Sequence, residues 1–282
     1  MIRREWEGDF VLIPQPEHAR LSGVLAEHWG AGEFVRPEPW DEVLLATYEH
    51  DEGWVEWEKR PTLDADHFLV NFNRTPLEVT IDNFRRTVEK AYKKGRPYAA
   101  ALVNRHAINV YELVLSLRGL GPEEEAKIHD YVSELEGRQA EIFRELAGQP
   151  EFERAMTDEA VHRNGRFVTV LDLLSLILCN GWTHLDRMAG VPMGEDHFGD
   201  IGVKWADPGG PDPGGPDPVG PGPVSPIGMC LELTPWPFSR DSLEGSAQGL
   251  RIPGHPFDTE EDLHAALREA PPFEMSFRVI PG

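Results

Sequence analysis

The feature that most constrains this chain is a nearly continuous apolar run at 166–181, RFVTVLDLLSLILCNG. Such a run predicts a helix buried on most of its surface, so other elements must pack around it. Asp172 lies inside the run, between Leu171 and Leu173. A buried carboxylate is costly unless it is paired or bound to a metal ion, and Asp172 is therefore expected to have a partner.

Apolar residues recur at helical spacing through most of the first 180 residues. Proline at the first helical turn and acidic residues beside it mark several of the predicted starts. The predicted helices begin at Pro16, Pro39 and Pro97 or span about 82–94, 122–147 and 166–181. These patterns predict a mainly α fold, built as a helical bundle.

Strand patterns are predicted only near the two ends of the chain. The alternating segment at 1–15 predicts a β-hairpin, and 228–233 and 274–279 predict strands with a short helix at 259–269 between them. We expect these strands to pair with the hairpin in a small β-sheet against the helical bundle.

A Pro/Gly-rich segment at 207–224 repeats Asp-Pro-Gly-Gly-Pro imperfectly and cannot bury a core. The predicted organisation is therefore a helical domain with the N-terminal hairpin at 1–204, a Pro/Gly-rich loop or linker at 205–226, and a β-containing extension at 227–282 packed on the main domain.

Composition excludes several classes of function. Asp and Glu number 49 against 27 Lys and Arg, and the net charge of −22 disfavours binding to nucleic acid or to an anionic membrane surface. The two cysteines cannot form a disulfide framework or a cysteine-type zinc site. No long apolar run predicts a membrane span, and the N-terminal MIRREW lacks the apolar stretch of a signal peptide, so we expect a soluble cytoplasmic protein.

Histidine and aspartate on apolar helix faces are the candidate functional residues. His18 follows the first predicted helix start, and His50-Asp51 ends the second helix. Together with Asp172, these side chains suit a transition-metal ion, although each alone also fits an ordinary buried residue. The other His-Asp pair, His129-Asp130, has polar neighbours and is predicted to lie on a solvated helix face.

The order of a histidine, a His-Asp pair about 32 residues later and a late buried aspartate resembles the HD-domain superfamily of metal-dependent phosphohydrolases. The resemblance implies an HD-domain-like helical bundle in which His18, His50, Asp51 and Asp172 ligate a metal ion. Superfamily members with two ions add histidines from intermediate helices, and His106 is the best-placed candidate. The implied cofactor is one or two divalent transition-metal ions (Mn, Fe, Ni or Zn).

The wider pattern runs from IPQPEHARLSG through EHDEGWVEW and VNRHA to LLDLLSLILC. It is similar to an uncharacterised bacterial family, domain-of-unknown-function family 3891, over nearly the whole chain except the Pro/Gly segment. The typical superfamily hydrolase follows His-Asp with Ile/Leu-Gly-Lys, whereas this chain has Glu52-Gly53-Trp54.

The resemblance implies a metal-dependent hydrolase of a small phosphoester or nucleotide. Asp51 is then expected to orient the attacking water, and Arg105 to contact the phosphate through its planar guanidinium, unless it pairs with Glu112 instead. Two alternatives are an oxygenase with a mixed-valent di-iron pair and a non-catalytic binding protein. The expected partner is a small-molecule substrate, with no nucleic acid and no membrane, and homo-oligomerisation is left open.

Overall fold

The computed structural model describes residues 1–116, 119–194, 197–206 and 229–282. About half of the chain is helical and 23% is strand, arranged as helices packed against a curled mixed sheet. The protein therefore has an α/β fold, and the predicted mainly α, HD-domain-like bundle with a small sheet is wrong. The prediction failed because three strands have no regular apolar alternation, since glycine, proline or small polar residues interrupt them. These strands are Arg187–Met193, His197–Ala206 and Leu243–Pro253.

The helices lie mostly in the first 180 residues, as predicted. Those of the described chain are α1 (Gln15–Glu27), α2 (Trp40–Glu49), α3 (Val55–Glu58), α4 (Leu77–Lys93), α5 (Pro97–Ser116), α6 (Pro122–Leu146), α7 (Asp158–Asn180) and α8 (Glu260–Glu269), with 3-10 turns at Glu52–Trp54 and Phe72–Arg74. None of the helices in this described part combines the length and apolar content that crossing a membrane requires.

Seven strands of the described chain form one sheet. They are β1 (Ile2–Trp6), β2 (Asp9–Ile13), β3 (Arg187–Met193), β4 (His197–Ala206), β5 (Met229–Thr234), β6 (Leu243–Pro253) and β7 (Pro272–Pro281). Their order is β1-β2-β6-β7-β5-β4-β3, and β5 pairs with β7 in parallel while the other neighbours are antiparallel.

The N-terminal hairpin is confirmed as β1 and β2, and the two predicted C-terminal strands correspond to β5 and β7. The hairpin pairs with β6, which the sequence analysis missed together with β3 and β4. The β6 sequence, LEGSAQGLRIP, has no regular alternation, because two glycines and several small residues occupy it. The Pro/Gly segment at 207–224 lies outside the described residues.

The apolar run predicted at 166–181 forms the C-terminal part of α7, the central helix of the protein. Thr157 caps the start of α7 by accepting a hydrogen bond from the Ala160 amide at 3.2 Å. Gly181 ends the helix in the left-handed conformation, with φ of 68°. α7 packs against the helices α1, α2 and α5 and also against the strands β1 and β3. Side chains from these helices therefore meet beside Asp172.

The position of β7 predicts that the C-terminal segment is required for folding. β7 lies between β5 and β6 and buries Met275, Phe277 and Val279. A chain ending at residue 253 should lose the junction between the two halves of the sheet and show no cooperative thermal unfolding by circular dichroism. A truncated chain that unfolds at the full-length melting temperature would contradict this arrangement.

Candidate metal centre

Five side chains meet where α1, α5 and α7 pack around the end of α2. They are His18 on α1, His50 and Asp51 at the end of α2, His106 on α5 and Asp172 on α7. Their side chains are 0%, 0%, 7%, 2% and 14% exposed, in that order. The fold therefore brings together all five residues that the sequence analysis assigned as metal ligands.

The cluster consists of two triads that share His50. The first triad is His18, His50 and Asp51, and the second triad is His50, His106 and Asp172; within each, the possible ligand atoms lie within 4.8 Å of one another. His18 Nε2 is 2.8 Å from Asp51 Oδ2. His50 Nε2 is 3.4 Å from Asp172 Oδ1, and His106 Nε2 is 3.8 Å from the other oxygen of the same carboxylate.

Two of the imidazoles are anchored at Nδ1 by an oxygen outside the cluster. His50 Nδ1 donates to the Thr47 carbonyl at 2.9 Å. His106 Nδ1 lies 3.0 Å from Thr169 Oγ1, whose own proton goes to the Gly165 carbonyl at 3.0 Å. Because that hydroxyl proton is engaged, Thr169 accepts the bond from His106. In both rings the neutral form therefore directs the lone pair of Nε2 into the cluster.

His18 is anchored in the same way. Its Nδ1 lies 2.8 Å from Ser175 Oγ, and the Ser175 hydroxyl donates to the Asp172 carbonyl at 2.8 Å. Thr169 and Ser175 stand three residues before and after Asp172, so the same face of α7 carries the carboxylate and two of the anchors. Anchors of this kind fix the tautomer and orientation of metal-ligating histidines. Neither hydroxyl is among the residues predicted from the sequence, although their spacing from Asp172 could have revealed them.

The cluster is strongly coupled electrostatically. Burial by itself lowers the pKa of His50, but contact with Asp172 and the charge of Asp51 outweigh it and raise that pKa to about 9. Burial raises the pKa of Asp172, but contact with His50 and the charges of the neighbouring histidines outweigh it and lower that pKa to about 2. Burial lowers the pKa of His106 to about 4. Without a metal ion, His50 and Asp172 therefore form a buried ion pair beside a neutral His106.

One nitrogen of the cluster supports the fit to a metal ion. His50 Nε2 is buried and makes no well-formed hydrogen bond within the described residues, and its contact with Asp172 Oδ1 at 3.4 Å is an ion pair only. Two ligand atoms about 2.1 Å from one ion lie about 3.0 Å apart at a right angle and about 3.4 Å apart at a tetrahedral angle. The 2.8 Å between His18 and Asp51 and the 3.4 Å between His50 and Asp172 match these values. The 3.8 Å between His106 and Asp172 would have to shorten by a few tenths of an ångström.

The donor set limits which ions the cluster could hold, and how many. Each triad offers two imidazoles and one carboxylate, which suit Mn, Fe, Ni or Zn. An imidazole nitrogen has one lone pair, so His50 Nε2 can complete only one triad at a time.

Gly53 holds the His50-Asp51 turn against α4. Its amide donates to Thr87 Oγ1 at 2.9 Å. A Cβ at this position would lie 1.9 Å from the Asn83 carbonyl oxygen, so no larger residue fits without moving α4. Gly53, the residue of Glu52-Gly53-Trp54 that matches the superfamily pattern, therefore has a packing role here.

The remaining predicted residues lie outside the cluster. Arg105 Nη2 is 3.4 Å from Glu112 Oε2, which is the pairing that the sequence analysis had left open as an alternative to a phosphate contact. His129 and Asp130 are exposed on α6, as predicted.

Gln15 is a neighbour of the cluster that the sequence analysis missed. It is 3% exposed, and its Nε2 donates to Asp51 Oδ2 at 3.2 Å. A glutamine at the start of a helix carries no sequence signal for such a role.

The chain belongs to a family of proteins of unknown function, DUF3891, whose sequence model matches residues 1–253. The match includes all five cluster residues and ends before α8 and β7. No curated protein and no solved structure matches the chain.

Replacing Thr169 by Val should weaken ion binding without unfolding the protein. Valine keeps the shape but removes the acceptor of the His106 Nδ1 proton, and loss of such an anchor typically costs about 10- to 100-fold in metal affinity. Thr80→Val is the matched control, because Thr80 on α4 makes the same kind of bond to a carbonyl four residues back, that of Pro76 just before the helix. Competition with a chromogenic chelator measures both affinities, and equal values would rule out the anchoring role.

Ion binding should release protons in a pH-dependent way. His50 keeps its proton up to about pH 9 without an ion, whereas a metal ligand must be neutral. We expect release of about one proton per ion near pH 7, and an affinity that rises about tenfold per pH unit until it levels above pH 9. Calorimetry in buffers of different ionisation enthalpy measures the release. Zero release at pH 7 would show that His50 does not ligate.

Proposed function

We propose that the protein is a metal-dependent hydrolase of a small phosphoester or nucleotide. The observation that carries this proposal is the convergence of three buried imidazoles, each anchored at Nδ1 from outside, on the carboxylates of Asp51 and Asp172. That arrangement is what an ion-binding shell requires, because the ligands are oriented before the ion arrives. A structural ion pair alone would need only one of the three histidines.

The chemistry follows from the donor set. A divalent ion bound there would lower the pKa of a bound water toward neutrality and polarise a phosphoryl oxygen. Asp172 has the most exposed side chain of the cluster, so water and substrate would approach past it. Asp51 would orient the attacking water through its carboxylate. Because Arg105 pairs with Glu112, the positive charge that a phosphate needs would come mainly from the ion.

An oxygenase is the second candidate, since a triad of two histidines and one carboxylate is also the ligand set of non-haem Fe(II) oxygenases. A mixed-valent di-iron pair would need two ligand sets, and the sharing of His50 leaves one triad incomplete. This sharing favours the hydrolase over the di-iron enzyme. A binding protein that holds an ion without turnover is the third outcome of the test below.

The test is elemental analysis of the purified protein, followed by assays with the ion that it contains. We expect about one equivalent of Mn, Fe, Ni or Zn and hydrolysis of p-nitrophenyl phosphate, bis-p-nitrophenyl phosphate or a nucleotide. Oxygen consumption by an iron-loaded protein without phosphoester turnover would favour the oxygenase instead. An ion without either reaction would contradict the catalytic proposal.

The double variant His50→Ala/Asp51→Ala should lose the ion and the turnover. The matched control is His129→Ala/Asp130→Ala, which removes the other His-Asp pair from the exposed face of α6. The control should keep both properties. Equal ion content in the two double variants would refute the assignment of the site, provided that circular dichroism shows both to be folded.

A further inference from the structure

We propose that Gln15 is a positioning residue of the candidate metal centre and accepts a hydrogen bond from the ligand held there. Its amide oxygen would bind the O–H of a water or a substrate hydroxyl beside Asp51, while its amide nitrogen fixes the Asp51 carboxylate. This inference rests on the proposed function, because it requires an ion at the first triad.

Gln15 is held rigidly at both ends. Its backbone amide donates to the two oxygens of the Glu58 carboxylate, at 3.0 and 3.2 Å. Its side-chain Nε2 donates to Asp51 Oδ2, the same oxygen that lies 2.8 Å from His18 Nε2. A side chain fixed in this way is preorganised toward the first triad.

The amide oxygen of Gln15 is the informative atom. Oε1 is buried and has no hydrogen-bond partner among the described residues. The opposite amide orientation would place this oxygen against Asp51 Oδ2, with two acceptors in contact, so the hydrogen-bonding pattern identifies which atom is the oxygen. A buried acceptor without a donor destabilises the protein. Because Oε1 shares one planar group with the nitrogen bound to Asp51, a ligand at the first triad can supply the missing donor.

Asn164 provides a matched comparison. Its Oδ1 is also buried without a partner, and its Nδ2 donates to the Glu38 carbonyl at 2.8 Å and to Tyr98 Oη at 3.0 Å. None of these contacts involves the cluster. Replacing Asn164 therefore removes a buried amide of the same kind without changing the candidate metal centre.

The experiment titrates azide into the full-length protein loaded with Co²⁺ and follows the visible absorption of the cobalt. Azide competes with water for an open position on the ion and has no hydrogen to donate. In Gln15→Leu, water loses its hydrogen bond to Oε1 whereas azide loses nothing. The dissociation constant for azide should therefore fall about fivefold relative to the wild type.

Unchanged or weaker azide binding in Gln15→Leu would overturn the inference. If Gln15 acted only through its Nε2 bond to Asp51, its loss would make Asp51 a stronger electron donor to the ion and would weaken azide binding. That change is opposite to the tighter azide binding that the inference predicts. Asn164→Leu should lower the melting temperature but keep the wild-type azide affinity. If Gln15→Leu does not fold, Gln15→Asn replaces it. The shorter side chain moves the amide away from the ion by one methylene, and azide binding should tighten to a smaller extent.

The experiment also separates this inference from the proposed function. A wild-type protein that binds no Co²⁺ contradicts the metal centre, and the role of Gln15 with it. A wild-type protein that binds Co²⁺ while Gln15→Leu shows no tighter azide binding contradicts only the role of Gln15.

Discussion

The buried carboxylate of Asp172 is the constraint on which the arrangement of the helices depends. It sits in the most apolar helix of the chain, where an unpaired charge would be strongly destabilising. Its two oxygens face His50 and His106, and His18 Nδ1 is 3.7 Å away. Asp172 therefore requires that three other elements contact α7 beside it, namely α1, α5 and the end of α2. The contacts between Asp172 and the histidines of these elements stabilise the helical packing and also form the ligand cluster.

The sheet fixes the helix that carries Asp172. Arg4 on β1 reaches the end of α7, where its Nη1 donates to the Leu178 and Cys179 carbonyls at 3.3 and 3.4 Å. Positive charge at a helix C-terminus is favourable because the last carbonyls have no partner within the helix. Burial lowers the pKa of this guanidinium to about 10. The hairpin thus anchors the end of α7 and thereby fixes the position of Asp172 in the cluster.

The sequence predicted the cluster better than the fold. Four of the ligand candidates stand out as charged or polar residues on apolar helix faces, and the fifth, His106, follows from the resemblance to the HD-domain superfamily. His50-Asp51 could be separated from the exposed His129-Asp130 by its neighbours alone. Strands β3, β4 and β6 could not be found, because glycine and proline interrupt their alternation. β6 in addition pairs with β2 from the other end of the chain, whereas β3 and β4 pair with each other as a local hairpin. Gln15 was missed because its role depends on contacts with Asp51 and Glu58, which are distant in sequence.

Anomalous X-ray diffraction from crystals of the Zn²⁺-loaded protein, recorded on both sides of the zinc absorption edge, tests the central claim most directly. The account predicts a difference peak within bonding distance of His50 Nε2 and of the other two ligands of one triad. A peak only at surface carboxylates, with His50 Nε2 still against Asp172, would contradict it and leave the cluster as a buried ion-pair network.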